Sequence, residues 1–142
     1  MFKKLNVLLV EDDDVAAESV IRSLRKVSEH INVVLAENGK IALDILRSDD
    51  DKSQIASPFL VLLDLNMPVM SGFEFLEHVR SDEKLNGVVI FILTTSNDDK
   101  DKARAYDNHV AGYMVKSSVG PQFSKLATLL DAYRDAIETN NI

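Results

Sequence analysis

Apolar residues in this chain fall into short unbroken runs, separated by stretches in which they recur every three or four positions. The runs are "LNVLLV" (Leu5 to Val10), "INVVLA" (Ile31 to Ala36), "FLVLLD" (Phe59 to Asp64), "VVIFIL" (Val88 to Leu93) and "AGYMVK" (Ala111 to Lys116). Short, nearly all apolar and rich in β-branched residues, they predict buried strands. Between them, Ala17, Val20, Ile21, Leu24 and Val27 form one helical stripe. Ile41, Ala42, Ile45 and Leu46 form a second, after a break at Asn38-Gly39. Ser71 and Glu74 have capping-box spacing at the start of a helix reaching about Arg80. Ser96 to Asn108 predicts a polar helix with little beyond Ala103, Ala105 and Tyr106 to bury. Pro121 can open a last helix at its first position, with Phe123, Leu126, Ala127, Leu130 and Ile137 as its apolar face. Asp49 to Pro58 reads as a polar loop, and the final "TNNI" as a fraying end.

Strands without polar–apolar alternation are covered on both faces. Five of them alternating with five helices predict an α/β fold with a parallel sheet and right-handed crossovers. A chain of 142 residues and 15.8 kDa suffices for one domain with its own core, and no repeat, second domain or long linker is evident. The expectation is a single domain over 1–142. Charge sharpens this: a net −7 and a pI near 4.9 repel nucleic-acid phosphate and anionic lipid, so neither is expected as a direct partner. The absence of Cys excludes disulfides, thiol catalysis and thiolate metal ligands. The apolar run after Lys3 and Lys4 is too short for a signal peptide or a membrane span, which leaves a soluble cytoplasmic protein as the simplest expectation.

Four of the strands end in polar residues, always at the carboxyl end: Glu11-Asp12-Asp13, Asp64, Thr94-Thr95 and Lys116. In a parallel sheet those ends share one edge, where open α/β sheets bind ligands. The second strand ends in Ala36-Glu37, and Glu37 reads as plain surface. Glu11, Asp12 and Asp64 would lie close together there and repel one another. A divalent cation resolves the repulsion, and an oxygen-only set with room for waters suits Mg²⁺. Asp64 could then act as a nucleophile and take up a phosphoryl group as aspartyl phosphate. Lys116 would supply an ammonium, and Thr94 a hydroxyl, to the spread charge of the transferring group. Each residue alone has a plainer explanation. The acidic run could be the first turn of a helix, Asp64 a cap, Lys116 solvated and Thr94 an ordinary strand residue. Their occurrence in this order on one edge is what favours the chemistry.

Through "LLVEDDD", "LLDLNMPVMSG", "FILTTS" and "AGYMVK", the chain resembles the receiver domain of two-component response regulators, over about Leu5 to Ile137. The resemblance implies a flavodoxin-like (βα)5 doubly wound sheet of order 2-1-3-4-5. It implies Glu11 and Asp12 as the acidic metal pair, Asp64 as phosphoacceptor, and Asn66 as donor of a backbone carbonyl to Mg²⁺. Thr94 and Lys116 would contact the phosphoryl group, and Tyr113 matches the aromatic switch residue. Asp13 is the alternative partner of Asp12, although the strand register favours Glu11. Pro68 stiffens the turn after Asp64, and Gly72 permits a close approach. Met67 and Met70 read as packing. Asn66 and Ser96 occupy flanking positions that tune phosphate lifetime in the family. One departure is Ser117, where receivers usually carry proline after the lysine, often with a cis bond. Either the Lys116–Ser117 bond stays cis or the loop is rebuilt.

The resemblance implies a phosphoaccepting signalling domain rather than an enzyme. Its partners would be a sensor histidine kinase or phosphotransfer protein as donor and a protein target for output, with a homodimer possible. Without a DNA-binding region it would be a stand-alone receiver, and its long second loop is similar to those associated with phytochrome-type kinases. A phosphatase of the haloacid dehalogenase type would need a second Asp where Asn66 stands, and a cap domain. A binding module that is never phosphorylated is disfavoured by the intact residue set.

Overall fold

The computed structural model describes residues 3–48 and 55–138. Most of the predicted polar loop, Asp49 to Gln54, and the terminal "TNNI" lie outside the described residues. The elements run β1 (Leu5–Val10), α1 (Asp14–Val27), β2 (Ile31–Ala36), α2 (Gly39–Arg47), β3 (Phe59–Leu63), α3 (Gly72–Ser81), β4 (Ile90–Thr94), α4 (Asp99–Asp107), β5 (Gly112–Val115) and α5 (Ser124–Ala136). The strands form one parallel sheet in the order β2-β1-β3-β4-β5, as the resemblance implied.

The apolar runs serve two faces at once. Leu8, Val10, Val61, Leu63, Ile90 and Ile92 pack towards α2, α3 and Ala105 of α4. Leu5, Val7, Leu9, Leu60, Leu62 and Leu93 pack towards α1 and α5. Alternate residues of a strand point to opposite faces, so a strand covered on both sides must be apolar throughout.

Local capping signals hold. Ser71 and Glu74 form the expected capping box at α3. The Asn38 side chain accepts from the Ile41 amide, 2.9 Å away, at the start of α2. Glu37 is exposed, as expected of surface.

Several expectations are corrected. Val27, Ile41 and Tyr106 are exposed, and so is Ala103. Each sits at the flank of its stripe, beyond the reach of the sheet. In α4 only Ala105 is buried, and the helix starts at Asp99, capped by Asp98, rather than at Ser96. β4 begins at Ile90, two residues later than the apolar run, and β5 stops at Val115, with Lys116 in a 3₁₀ turn. Pro121 opens a 3₁₀ turn, not α5. Gln122 and Phe123 have φ of 53° and 59°, in the left-handed region, and interrupt the helical path. The turn brings Phe123 against the core beside α5, and the α-helix starts at Ser124. Ile137 lies just past its end.

The turn after β3 is tight. The Gly72 amide donates to the Leu65 carbonyl at 2.9 Å. A Cβ on Gly72 would sit 2.4 Å from the Asp64 carbonyl oxygen and 2.6 Å from Leu65 Cα. Gly72→Ala is therefore expected to cost about 2–3 kcal/mol of stability in urea unfolding. Gly87→Ala, where a Cβ meets nothing within 4 Å, is expected to change it little.

Candidate functional site

Strand register brings the polar strand ends together. Val10 pairs with both Ala36 and Leu63 across the sheet. One residue on, the Glu11 amide donates to the Ala36 carbonyl and the Asp64 amide to the Val10 carbonyl, so Glu11 and Asp64 emerge from adjacent strands. On the other side Thr94 pairs with Val115, which puts Lys116 immediately beyond the edge. The site lies where the chain's strand order reverses, between β1 and β3.

Oxygen atoms of Glu11, Asp12 and Asp64 all lie within 4.8 Å of one another. Glu11 and Asp64 are 2% and 6% exposed, while Asp12 faces solvent. Asp13 is not part of this group. Its carboxylate caps α1, accepting from the amides of Val15 (2.9 Å) and Ala16 (3.3 Å). The acidic run thus divides its labour between the site and the helix start.

The Lys116 ammonium pairs with Glu11 and approaches Asp64 Oδ2 at 3.5 Å. Burial pushes the Glu11 carboxyl up to about 7, and the nearby Asp64 charge adds to this against the opposing pull of Lys116. Burial alone would lower Lys116, but its hydrogen bond to Glu11 and the charges of Asp64 and Glu11 outweigh that and raise it. One ammonium, paired with Glu11 and Asp64, does not balance a group of three carboxyl groups that also includes Asp12. All-oxygen donors at this spacing, with Asp12 open to water, suit a hard divalent cation. Asn66 is exposed next to the group, its amide 3.4 Å from Asp64 Oδ1.

Thr94 is fully buried at the end of β4, and its hydroxyl oxygen accepts weakly from the Ser96 amide at 3.5 Å. Tyr113 is half-buried on β5 and donates its hydroxyl to the Ser96 carbonyl at 3.0 Å. Burial raises the Tyr113 phenol, helped by the acidic residues around it. Met67 is buried in the core and Met70 lies over Gly39, consistent with packing.

The Lys116–Ser117 question resolves in favour of a rebuilt loop. Among the described residues the cis peptide is Ser57–Pro58, and Lys116 to Ser118 form a 3₁₀ turn followed by buried Val119. The lysine still reaches the acidic group. Sequence reasoning missed the Ser96 hydroxyl's 2.6 Å bond to Asp101, which ties the loop after β4 to α4. It also missed the positive φ of Val69, because nothing in a β-branched side chain signals that backbone conformation.

The pattern of the response regulator receiver domain matches residues 7–128, and the chain belongs to that family. A probable methanogenesis regulatory protein, FilR2, of Methanothrix harundinacea is 36% identical over 110 residues, 78% of this chain and 70% of that protein. The response regulator Rcp1 of Synechocystis is 30% identical over 78% of this chain and 76% of its own. The phosphorylated cyanobacterial phytochrome response regulator RcpA superposes with a TM-score of 0.82 at 28% identity, covering 98% of both chains. Among the described residues no helix is long and apolar enough to cross a membrane.

The raised Glu11 carboxyl has a stability consequence. The folded state binds a proton between the ordinary value of 4.5 and about 7, so this contribution is present at low pH and lost as pH rises through about 7. In chelator, Glu11→Gln is expected to gain on the wild type from pH 5 to pH 8, by up to about 3 kcal/mol in urea unfolding. Added divalent cation should shrink that gain.

Proposed function

We propose that this chain takes a phosphoryl group from the phosphohistidine of a sensor histidine kinase or phosphotransfer protein onto Asp64, and that the modification switches a protein-interaction face. The observation that carries this is the convergence of three carboxylates, Thr94 and Lys116 on one sheet edge around a buried Asp64.

Asp64 is held on the last peptide of a strand paired on both sides, so its attacking oxygen is pre-oriented. That oxygen attacks phosphorus in line. The phosphorus–nitrogen bond breaks, and its electron pair leaves on the donor imidazole. Lys116 exchanges its present carboxylate partners for a phosphoryl oxygen, and the Thr94 hydroxyl donates to another. Glu11, Asp12 and Asp64, with the Asn66 carbonyl, would hold Mg²⁺, whose chemistry here is to neutralise charge on the carboxylates and the phosphoryl oxygens.

Once Thr94 turns inward, Tyr113 has room to follow and would give up its bond to the Ser96 carbonyl. The face of α4, β5 and α5 then changes. α4 suits such a change because it buries little. Phosphorylation need only shift a population that already exists. In this reading the protein is a single domain over 1–142 with a signalling rather than enzymatic role in the cytoplasm, and it acts on a protein target, with a homodimer through the α4–β5–α5 face as one arrangement. The structurally similar phytochrome response regulator RcpA occurs in a phosphorylated form, which supports the phosphoacceptor role.

Acetyl phosphate with Mg²⁺ is expected to add one phosphate to the wild type by intact mass, and none after chelation. Asp64→Asn should abolish labelling, and Lys116→Ala should slow it about a hundredfold. Equal labelling of Asp64→Asn would sink the assignment.

A further inference from the structure

We propose that α3 is a second mechanical link between Asp64 and α4, separate from Thr94 and Tyr113, and that Arg104 and Arg80 are its positioning residues. This rests on the reading of Asp64 as phosphoacceptor.

α4 has almost no apolar hold on the domain, since Ala105 alone is buried. Besides the Ser96–Asp101 bond near its start, it is held by a row of side chains on one face of α3: Phe73, Glu77 and Arg80, at helical spacing. The Arg104 guanidinium of α4 stacks on the Phe73 ring, 4.1 Å from its centroid, and donates to Glu77 Oε1 at 3.0 Å. From the end of α3, Arg80 donates to four backbone carbonyls. Two belong to the connection into β4 (Asn86, 2.9 Å, and Val88, 2.8 Å), and two to the turn after α4 (Asn108, 2.7 Å, and His109, 3.1 Å). His109 has a φ of 60°, so this clasp also holds a left-handed turn in place. The carboxyl half of α4 is thereby tied to α3 by directional polar contacts, which have discrete made and broken states where apolar packing would slide.

The other end of α3 touches the phosphoacceptor's backbone. Gly72 leaves no room for a Cβ against the Asp64 carbonyl, and its amide holds the Leu65 carbonyl. A shift of the Asp64–Leu65 peptide is therefore transmitted to the start of α3 without slack. A phosphoryl group on Asp64 must also separate Lys116 from its carboxylate partners, so Lys116 is here in the arrangement that phosphorylation displaces, and the proposal assigns the α3–α4 contacts to that same arrangement. Coupling is reciprocal. Weakening the α3–α4 latch should make a phosphoryl mimic bind Asp64 more tightly.

The test uses the full chain with Mg²⁺ and beryllofluoride, which mimics a phosphoryl group on a carboxylate, titrated calorimetrically. Arg104→Met should bind it about fivefold more tightly than wild type, at the low end of usual couplings because the contacts are partly exposed. Glu77→Gln should shift affinity the same way but less. Arg104→Lys, which keeps a charge opposite Glu77, should recover most of the wild-type value. Hydrogen exchange in α4 should speed up in free Arg104→Met and match wild type once the mimic is bound. A purely structural role would speed exchange in both states and leave affinity unmoved. Unchanged or weaker binding by Arg104→Met, with normal circular dichroism and a responsive wild type, overturns the link alone. A wild type that does not bind the mimic, or an Asp64→Asn that binds it equally, overturns the reading of Asp64 and this inference with it.

Discussion

Two carboxylates, Glu11 and Asp64, leave adjacent parallel strands side by side and almost out of water. Charged groups so placed repel each other and lack the hydration that would offset it. Lys116 answers part of that imbalance from across the sheet, and the raised Glu11 carboxyl records the part left over. Rigid backbone pairing on both sides of β3 prevents the two carboxylates from moving apart. The same imbalance that weakens the free protein suits the group to a hard divalent cation, and in the proposed reaction it would leave Asp64 available as the nucleophile.

The surroundings follow from holding this arrangement. Asp13, next in sequence to the acidic pair, is diverted to cap α1 and does not add a fourth charge to the site. Gly72 folds the chain back against Asp64 so closely that no Cβ fits between loop and helix. On the far side, the loop after Lys116 has no proline and forms a 3₁₀ turn anchored by Val119, yet the ammonium reaches the same place. Loop conformation is thus less constrained than the position of the lysine, because the strand that delivers Lys116 is paired to β4 up to Val115.

α4 shows the opposite design. A helix held by apolar packing resists displacement, whereas one held by Arg104, Arg80, Ser96 and Asp101 can exchange partners at modest cost. Stability is concentrated in the sheet and its two apolar faces, and adaptability in polar contacts around one helix. Tyr113 sits between the two regimes, its ring against the core and its hydroxyl on the Ser96 carbonyl.

Unbroken apolar runs with polar terminators determined the five strands, their parallel arrangement and the shared edge of Glu11, Asp12, Asp64, Thr94 and Lys116, because burial on both faces leaves little choice of residue. Capping at Ser71 was equally legible, being a local hydrogen-bond pattern. Helix stripes are less legible. Whether Ile41, Val27 or Tyr106 reaches the core depends on how far the neighbouring element extends, and periodicity does not encode that distance. The left-handed residues Val69, Gln122 and Phe123 were invisible, since side chains that dislike positive φ adopt it only when contacts elsewhere compensate. The same holds for the Arg80 clasp, whose four carbonyl acceptors are backbone atoms common to every residue. Only the fold decided which carbonyls would face that guanidinium. Sequence alone determined which chemistry converges on the sheet edge, through residue types with few alternatives. Tertiary structure decided how that chemistry is balanced and connected, through directional contacts between residues far apart in the chain.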